Sequence, residues 1–272
     1  MTDDKSEPMP RSAYTAVAPD TFRASALTRG PWHSDHQHAG PPTALVCRAI
    51  ETAAAELGLT HLSRLTANLI RPVPIGELTV EVATDYAGRN AAHFSARLRA
   101  GDKEVARFTA LLQREADVAL PDGLPGHPAP QLLPGPEESP VATFPFAGRH
   151  VGYSDLVETR IAHGRMFGGP CAVWFRLRHP LLDSEPPSAF QRVAVAADSG
   201  NGISAVLDLR RFIFVNSDLS INLLRRPQGE WICLDARTQF GPRGSGMAES
   251  TLFDVQGLIG RATQSLLVRA RE

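Results

Sequence analysis

The chain has 272 residues, enough for one large domain or two ordinary ones with a sizeable buried core. With 43% hydrophobic residues, 21% charged residues and a net charge of −1, it is neither disordered nor collagen-like, and it is not a nucleic-acid binder as a whole. Lys5 and Lys103 are the only lysines, so the positive charge is almost all arginine, which suits phosphate or carboxylate and is equally the mark of a GC-rich genome.

The opening MTDDKSEPMPRSAY is polar and acidic, with no basic and apolar leader pattern, so secretion is not expected. Cys47, Cys171 and Cys233 are odd in number, widely spaced and set among apolar neighbours, the pattern of buried thiols in a reducing, cytoplasmic setting. No stretch approaches the roughly 20 apolar residues of a membrane span. His33, His36 and His38 are loosely spaced like a metal cluster, but no further Cys or paired carboxylate completes one, so no metal is expected.

The first clear element is a helix. Pro41 and Pro42 pre-set its first turn, and Leu45, Val46, Ala49, Ile50, Ala53 and Leu57 recur at helical spacing until Gly58. Its alanine-rich, apolar character predicts a helix lying deep against a sheet. Leu78, Val80 and Val82 then alternate with Thr79 and Glu81, as in a half-buried antiparallel strand. From Pro121 to Pro145 stand eight of the 22 prolines, predicting an extended connector over 116–149 between units spanning 14–115 and 150–270.

The two units resemble each other. Asn68 matches Asn222 at a shift of 154, Gly76-Glu77 matches Gly229-Glu230 at 153, and Arg107 and Thr109 match Arg261 and Thr263 at 154. Each copy runs through an apolar stretch, a glycine turn and three further strands. A weaker second helix, Ser188 to about Ala197, again follows two prolines, Pro186 and Pro187.

A helix wrapped by antiparallel strands, duplicated through a linker, resembles the α+β double hot-dog fold: two antiparallel sheets, each around a hydrophobic helix. PWHSDHQHAGPPTALVCRAIE, ANLIRPVPIGELTVEV and GEWICLDARTQFGPRGSGMAESTLFDVQGLIGRATQSLLVR look like the acyl-CoA thioesterase II type of the thioesterase superfamily. That resemblance implies hydrolysis of an acyl-coenzyme A thioester by water, without a cofactor, using an aspartate, a Ser or Thr, and a glutamine from the second unit. Carried over one position at a time, these are Asp218 in FVNSDLSINLLRRP, Thr238 in WICLDARTQF and Gln264 in GRATQSLLV. In the first copy they are met by about Arg64, by Asp85 and by Ala110. A trio present once favours a single active site.

An aspartate beside an apolar acyl channel is expected to have a raised pKa and act as general base, with the threonine and glutamine holding the water, and direct attack by Asp218 to form an anhydride is the alternative. The stretch HQHAGPP is the expected substrate-binding segment, with His38, Ala39 and Gly40. A helix start favours negative charge, Gly40 allows close approach, and donors must come from Ala39, Gly40 or Thr43 because prolines have none. Asp198, in AADSGNGIS, reads first as a turn former and second as a residue lining the site. Arg210-Arg211 and Arg225-Arg226 are candidates for the coenzyme A phosphates.

The competing readings are a non-catalytic acyl-thioester binding protein and a hot-dog hydratase or dehydratase, which needs a histidine paired with a carboxylate. For that pair the second half offers only His163 and His179, outside the matching strands. Partners are thus an acyl-CoA substrate, neither nucleic acid nor membrane, and, through exposed sheet edges, a homo-oligomer is open.

Overall fold

The computed structural model describes residues 8–121, 133–148 and 150–271. The short strands β1 (Tyr14–Ala18) and β2 (Thr21–Ala24) precede helix α1 (Gly40–Ala55). Four long strands follow: β3 (His61–Leu69), β4 (Glu77–Ala87), β5 (Ala91–Ala100) and β6 (Lys103–Gln113). The second half begins with β7 (Val141–Ala142), α2 (Tyr153–Leu156), β8 (Val157–Gly164) and β9 (Cys171–Leu177). Helices α3 (Ala189–Ala197) and α4 (Gly200–Ile203) then lead into β10 (Phe212–Asn216). It ends with β11 (Asp218–Leu223), β12 (Ile232–Phe240), β13 (Ser245–Asp254) and β14 (Gly257–Ala270).

The strands join in the order β1-β2-β4-β5-β6-β3-β11-β14-β13-β12-β9-β8-β7, with β10 also on β14. Read outward from the β3–β11 seam, the two sides repeat the same order. The seam itself is antiparallel, and Thr66 faces Ser220, 154 positions further on, with hydroxyl oxygens 3.2 Å apart. Asn68 lies opposite Asp218, and Arg64 opposite Asn222. Residues related by the sequence repeat therefore cross over at the seam, which is a local two-fold axis running between Thr66 and Ser220. The double hot-dog expected from the sequence is present, its two sheets fused edge to edge into one.

Each half-sheet curves around its helix. Leu78 and Val80 of β4 are buried while Glu77 and Glu81 are exposed, the alternation expected of a strand with one face on a core. In α1 the first three turns are buried on almost every side, including Leu45, Val46, Cys47 and Ile50. Burying a Leu or Ile side chain is worth roughly 1.5–3 kcal/mol, so this helix stabilises the fold by burial without any side-chain cap. By contrast, α3 is capped: Ser188 Oγ accepts the Gln191 amide at 3.1 Å.

The two helices touch at Gly40, where a Cβ would collide with the Val195 carbonyl oxygen of α3. Gly40→Ala is therefore expected to destabilise the protein by about 1–3 kcal/mol through overpacking, read as a lower denaturant midpoint with unchanged slope.

The proline-rich connector is only in part a free connector. Residues 122–132 and 149 of the expected 116–149 segment lie outside the described residues. The described part from 133 packs on the second half. The Pro134 carbonyl accepts the Trp174 indole N–H at 2.9 Å, the Pro140 carbonyl accepts the Ile161 amide at 2.9 Å, and β7 pairs with β8. Phe144 and Phe146 stack at 5.0 Å between centroids, and both reach the cavity described next.

Candidate active site

A cavity of about 590 Å³ opens where the two halves and the connector meet. Its apolar wall includes Trp32, Leu69, Val73, Phe144, Phe146 and Phe214, and Trp32 meets Phe214 edge-on with centroids 5.5 Å apart. Concave apolar space of this size with a few convergent polar groups is the usual form of a small-molecule site.

Those polar groups gather around Asp198. Helix α3 ends at this residue, and the turn into α4 is pressed so closely on the sheet that a Cβ at Gly200 would lie 2.7 Å from Ser250 Oγ and 3.0 Å from Gln264 Oε1. The Asp198 side chain is buried, with 4% exposed. One carboxylate oxygen accepts Asn216 Nδ2–H at 2.8 Å, with Gln264 Nε2 at the edge of range, 3.4 Å. The other lies 3.0 Å from His38 Nδ1, and the Ala39 amide also donates to the carboxylate. Burial pushes the Asp198 pKa up, but the His38, Asn216 and Ala39 groups outweigh it and hold the carboxyl below the ordinary aspartate range. The raised pKa expected of an aspartate in such a place is not found here, because the site is polar at this end.

His38 is fixed from two sides. Its ring stacks on Tyr153 at 3.7 Å with planes 2° apart, and Tyr153 is anchored by its hydroxyl, which donates to the Val195 carbonyl and accepts from Ser199 Oγ, both at 2.9 Å. Burial raises the Tyr153 pKa well above its ordinary value, so the phenol stays neutral. His38 Nδ1 has two neighbours, the Gly40 amide at 3.2 Å and the Asp198 carboxylate at 3.0 Å. The Gly40 N–H points at Nδ1, but a lone pair facing a full carboxylate charge at the shorter distance costs more than one long neutral contact, so Nδ1 carries the proton, donates it to Asp198 and gives the Gly40 amide no acceptor.

The residues singled out in the sequence fall in different places. Gln264 on β14 is buried behind Asp198: its Oε1 accepts the Asn201 amide at 2.9 Å and its Nε2 donates to the Asp198 carbonyl at 3.1 Å. It fastens the backbone of the turn that presents Asp198. Thr238 donates to Ser204 Oγ at 2.7 Å, since the Ser204 proton goes to the Gly200 carbonyl; it braces the end of α4 and is not in the cavity wall. The Asp218 carboxylate accepts the Ser265 amide on the neighbouring strand β14, at the bend between β10 and β11, and does not reach the cluster. That bend brings Asn216, two residues earlier, to Asp198 instead.

His38 and Ala39 line the cavity, whereas Gly40 is taken up by the helix contact. Of the three amides expected to bind an oxyanion, Ala39 is engaged with Asp198 and Thr43 with the Ala39 carbonyl, while Gly40, whose N–H points at His38 Nδ1, does not line the cavity. Asn201 went unnoticed in the sequence. Buried in the cavity wall, its side-chain amide has no hydrogen-bond partner among the described residues. It is not sealed in, because the one fully enclosed unpartnered side-chain nitrogen or oxygen among the described residues is Arg64 Nε.

Residues 28–113 match the family model of the acyl-CoA thioesterase N-terminal domain, and residues 126–268 match that of the C-terminal domain. The chain belongs to the acyl-CoA thioesterase family. As a member of this family it is a thioester hydrolase. Solved structures share the thioesterase's fold at low sequence identity. An acyl-CoA thioesterase II from Mycobacterium marinum is 16% identical over 95% of each chain, with a TM-score of 0.62. A tesB protein of Mycobacterium avium subspecies paratuberculosis is 17% identical over 94% of this chain and 95% of its own, at 0.66. A hot-dog protein from Alicyclobacillus acidocaldarius is 16% identical over 96% and 97%, at 0.70. No curated protein matches the sequence.

The thioesterase builds its other helix junction differently. Glu51 of α1 accepts Ser188 Oγ at 2.8 Å and Gln191 Nε2 at 3.1 Å at the start of α3, and burial raises its pKa. Nearby, His61 and Arg226 meet the Phe190 ring and line a polar cleft rather than an apolar channel. Of the candidate phosphate-binding arginines, Arg225 is held by Asp254 in a double contact, 2.6 Å each, and Arg226 donates to the Thr60 carbonyl. Arg210 and Arg211 are exposed and follow Leu209 in the cavity wall. Among the described residues no group of three or more His, Cys, Asp or Glu is arranged for a metal ion, and no helix is long and apolar enough to cross a membrane.

Proposed function

We propose that this thioesterase hydrolyses an acyl-coenzyme A thioester in the cavity between its halves, with Asp198 as the charged centre of the site. The observation that carries the reading is a buried, ionised carboxylate, held by donors from the segment entering α1, from β10 and from β14, at the polar end of an aromatic-lined channel. An acyl chain gains about 0.8 kcal/mol per methylene buried against such walls. Its carbonyl carbon is thereby held at the polar end, where a water can attack it. A thiol leaves readily, because its pKa of about 8.5 demands little acid assistance.

Asp198, rather than Asp218, is the aspartate of this site, since its carboxylate adjoins the cavity. Gln264 acts as a positioning residue through the Asp198–Asn201 turn. Thr238 supports the same turn from behind through Ser204. For the oxyanion, the free Asn201 amide is the donor this reading favours. Asn201→Ala is then expected to lower kcat by about 10²–10³-fold with little change in KM. Equal losses in kcat and in acyl-CoA affinity would assign Asn201 to ground-state binding instead. The exposed Arg210-Arg211 pair beside the wall suits the coenzyme's phosphates.

The test is incubation with acyl-CoAs of graded chain length while free thiol is detected. Release that depends on chain length is expected. Binding without release at any length would favour a non-catalytic acyl-thioester binding protein. One feature favours a second reading: the histidine–carboxylate pair that a hydratase needs exists, drawn from opposite halves as His38 and Asp198. Loss of enoyl conjugation from a 2-enoyl-CoA without thiol release would identify that chemistry.

A further inference from the structure

We infer that His38 is the group that takes the proton from the attacking water, with Asp198 holding the imidazole in position. The inference rests on the thioesterase reading above and adds to it the identity of the base. Asp198 itself is poorly placed for proton transfer. Its two oxygens already meet His38, Asn216, Ala39 and, at longer range, Gln264. A carboxylate offers about four acceptor sites, so these donors leave little for a water. The same donors make it a weaker base than a free aspartate.

His38 has the opposite character. With Nδ1–H committed to Asp198, the ring's other nitrogen, Nε2, carries a lone pair and has no partner among the described residues. It is not an enclosed unpartnered atom, and His38 lines the cavity, so Nε2 opens onto the space where the thioester lies. The Tyr153 stack sets the ring plane, so the free nitrogen has one direction in which to act. Asp198 at the end of α3 and Tyr153 of α2 are the titratable groups in contact with this ring; His33 and His36 line the same cavity.

The reaction closes without another reagent. Nε2 removes a proton from water as its oxygen bonds to the carbonyl carbon, and the carbonyl electron pair moves onto oxygen. When that pair returns, the carbon–sulfur bond breaks and sulfur leaves with its electrons. The proton on Nε2 then passes to sulfur, giving a carboxylic acid and the free thiol. Asp198 stays ionised throughout and stabilises the imidazolium, while Tyr153 and Gln264 keep the pair aligned.

Two measurements test this. In the first, kcat/KM is followed against pH in the wild type, in His38→Gln and in His38→Ala with and without added imidazole. The acid limb of the wild-type profile is expected to disappear in His38→Gln, with kcat down about 10²–10³-fold, and free imidazole is expected to restore part of the His38→Ala activity. An unchanged acid limb in His38→Gln would overturn the assignment, as would the absence of rescue in a folded His38→Ala protein. In the second, nitrogen-15 spectra of the wild type, assigned by the signal lost in His38→Gln, are expected to show the Nδ1–H tautomer. An Nε2–H tautomer would overturn the inference irrespective of turnover. A wild type that releases no thiol from any acyl-CoA would instead defeat the thioesterase reading.

Discussion

Asp198→Asn is expected to lower kcat by about a thousandfold or more, and Asp218→Asn to leave it within a few-fold of the wild type. The asymmetry follows from what each carboxylate touches. Asp218 accepts one amide from the neighbouring strand β14, and an asparagine oxygen can accept it equally well. Asp198 is surrounded by donors, and an asparagine there must direct its own N–H₂ at one of them. That substitution removes the charge that would stabilise an imidazolium and sets two donors face to face, at a stability cost of about 1–3 kcal/mol. The pH dependence has a definite sign. Because folding lowers the Asp198 pKa, its ionised form stabilises the fold above the carboxylate range, and this contribution is lost as the pH falls through the folded-state value. The Tm difference between wild type and Asp198→Asn is therefore expected to narrow in acid. Equal kinetic loss in the Asp218 variant would return the charged role to Asp218.

Gln264→Ala is the second substitution with a large expected effect, and it acts on both stability and rate. Removing the side chain leaves the Asn201 amide and the Asp198 carbonyl unpaired in a buried turn. Each lost partner costs about 1–3 kcal/mol, so a marked fall in Tm is expected. The turn carries Asp198, so kcat is expected to fall about 10²–10³-fold while acyl-CoA affinity is retained. Combined with Asp198→Asn the kinetic losses are expected not to multiply, because both act through one carboxylate. Multiplicative losses would indicate that Gln264 contacts the reacting atoms independently.

The repeat, both helices and the strand pattern were legible in the sequence because they rest on local periodicity. Ser188 caps α3, and α1 begins at Gly40 next to its two prolines. Gln264 stood out for a physical reason, as a buried amide in an apolar strand must find partners. Asp198 was harder to read than Asp218. DSGNG looks like any turn, and its importance comes from β13, β14 and the segment before α1 pressing on it from distant parts of the chain. His38 is not legible as the partner of a carboxylate, because its aspartate stands in the other half of the chain and only the fold brings them together. The aromatic wall at Phe144 and Phe146 was hidden inside a segment that composition marks only as a connector. A signal for Asn201 existed in principle: an asparagine between two glycines in a tight turn has few local uses for its amide.

The two-fold axis at Thr66 and Ser220 gives the molecule two helix junctions built from the same parts, yet one holds a histidine–aspartate pair and the other a glutamate with serine and glutamine. In a homodimer of a single unit, any change at one junction would be imposed on both. A covalently fused pair escapes that constraint. Its left and right members can be mutated separately, so one interface can be tuned for turnover while the other is tuned for rigidity.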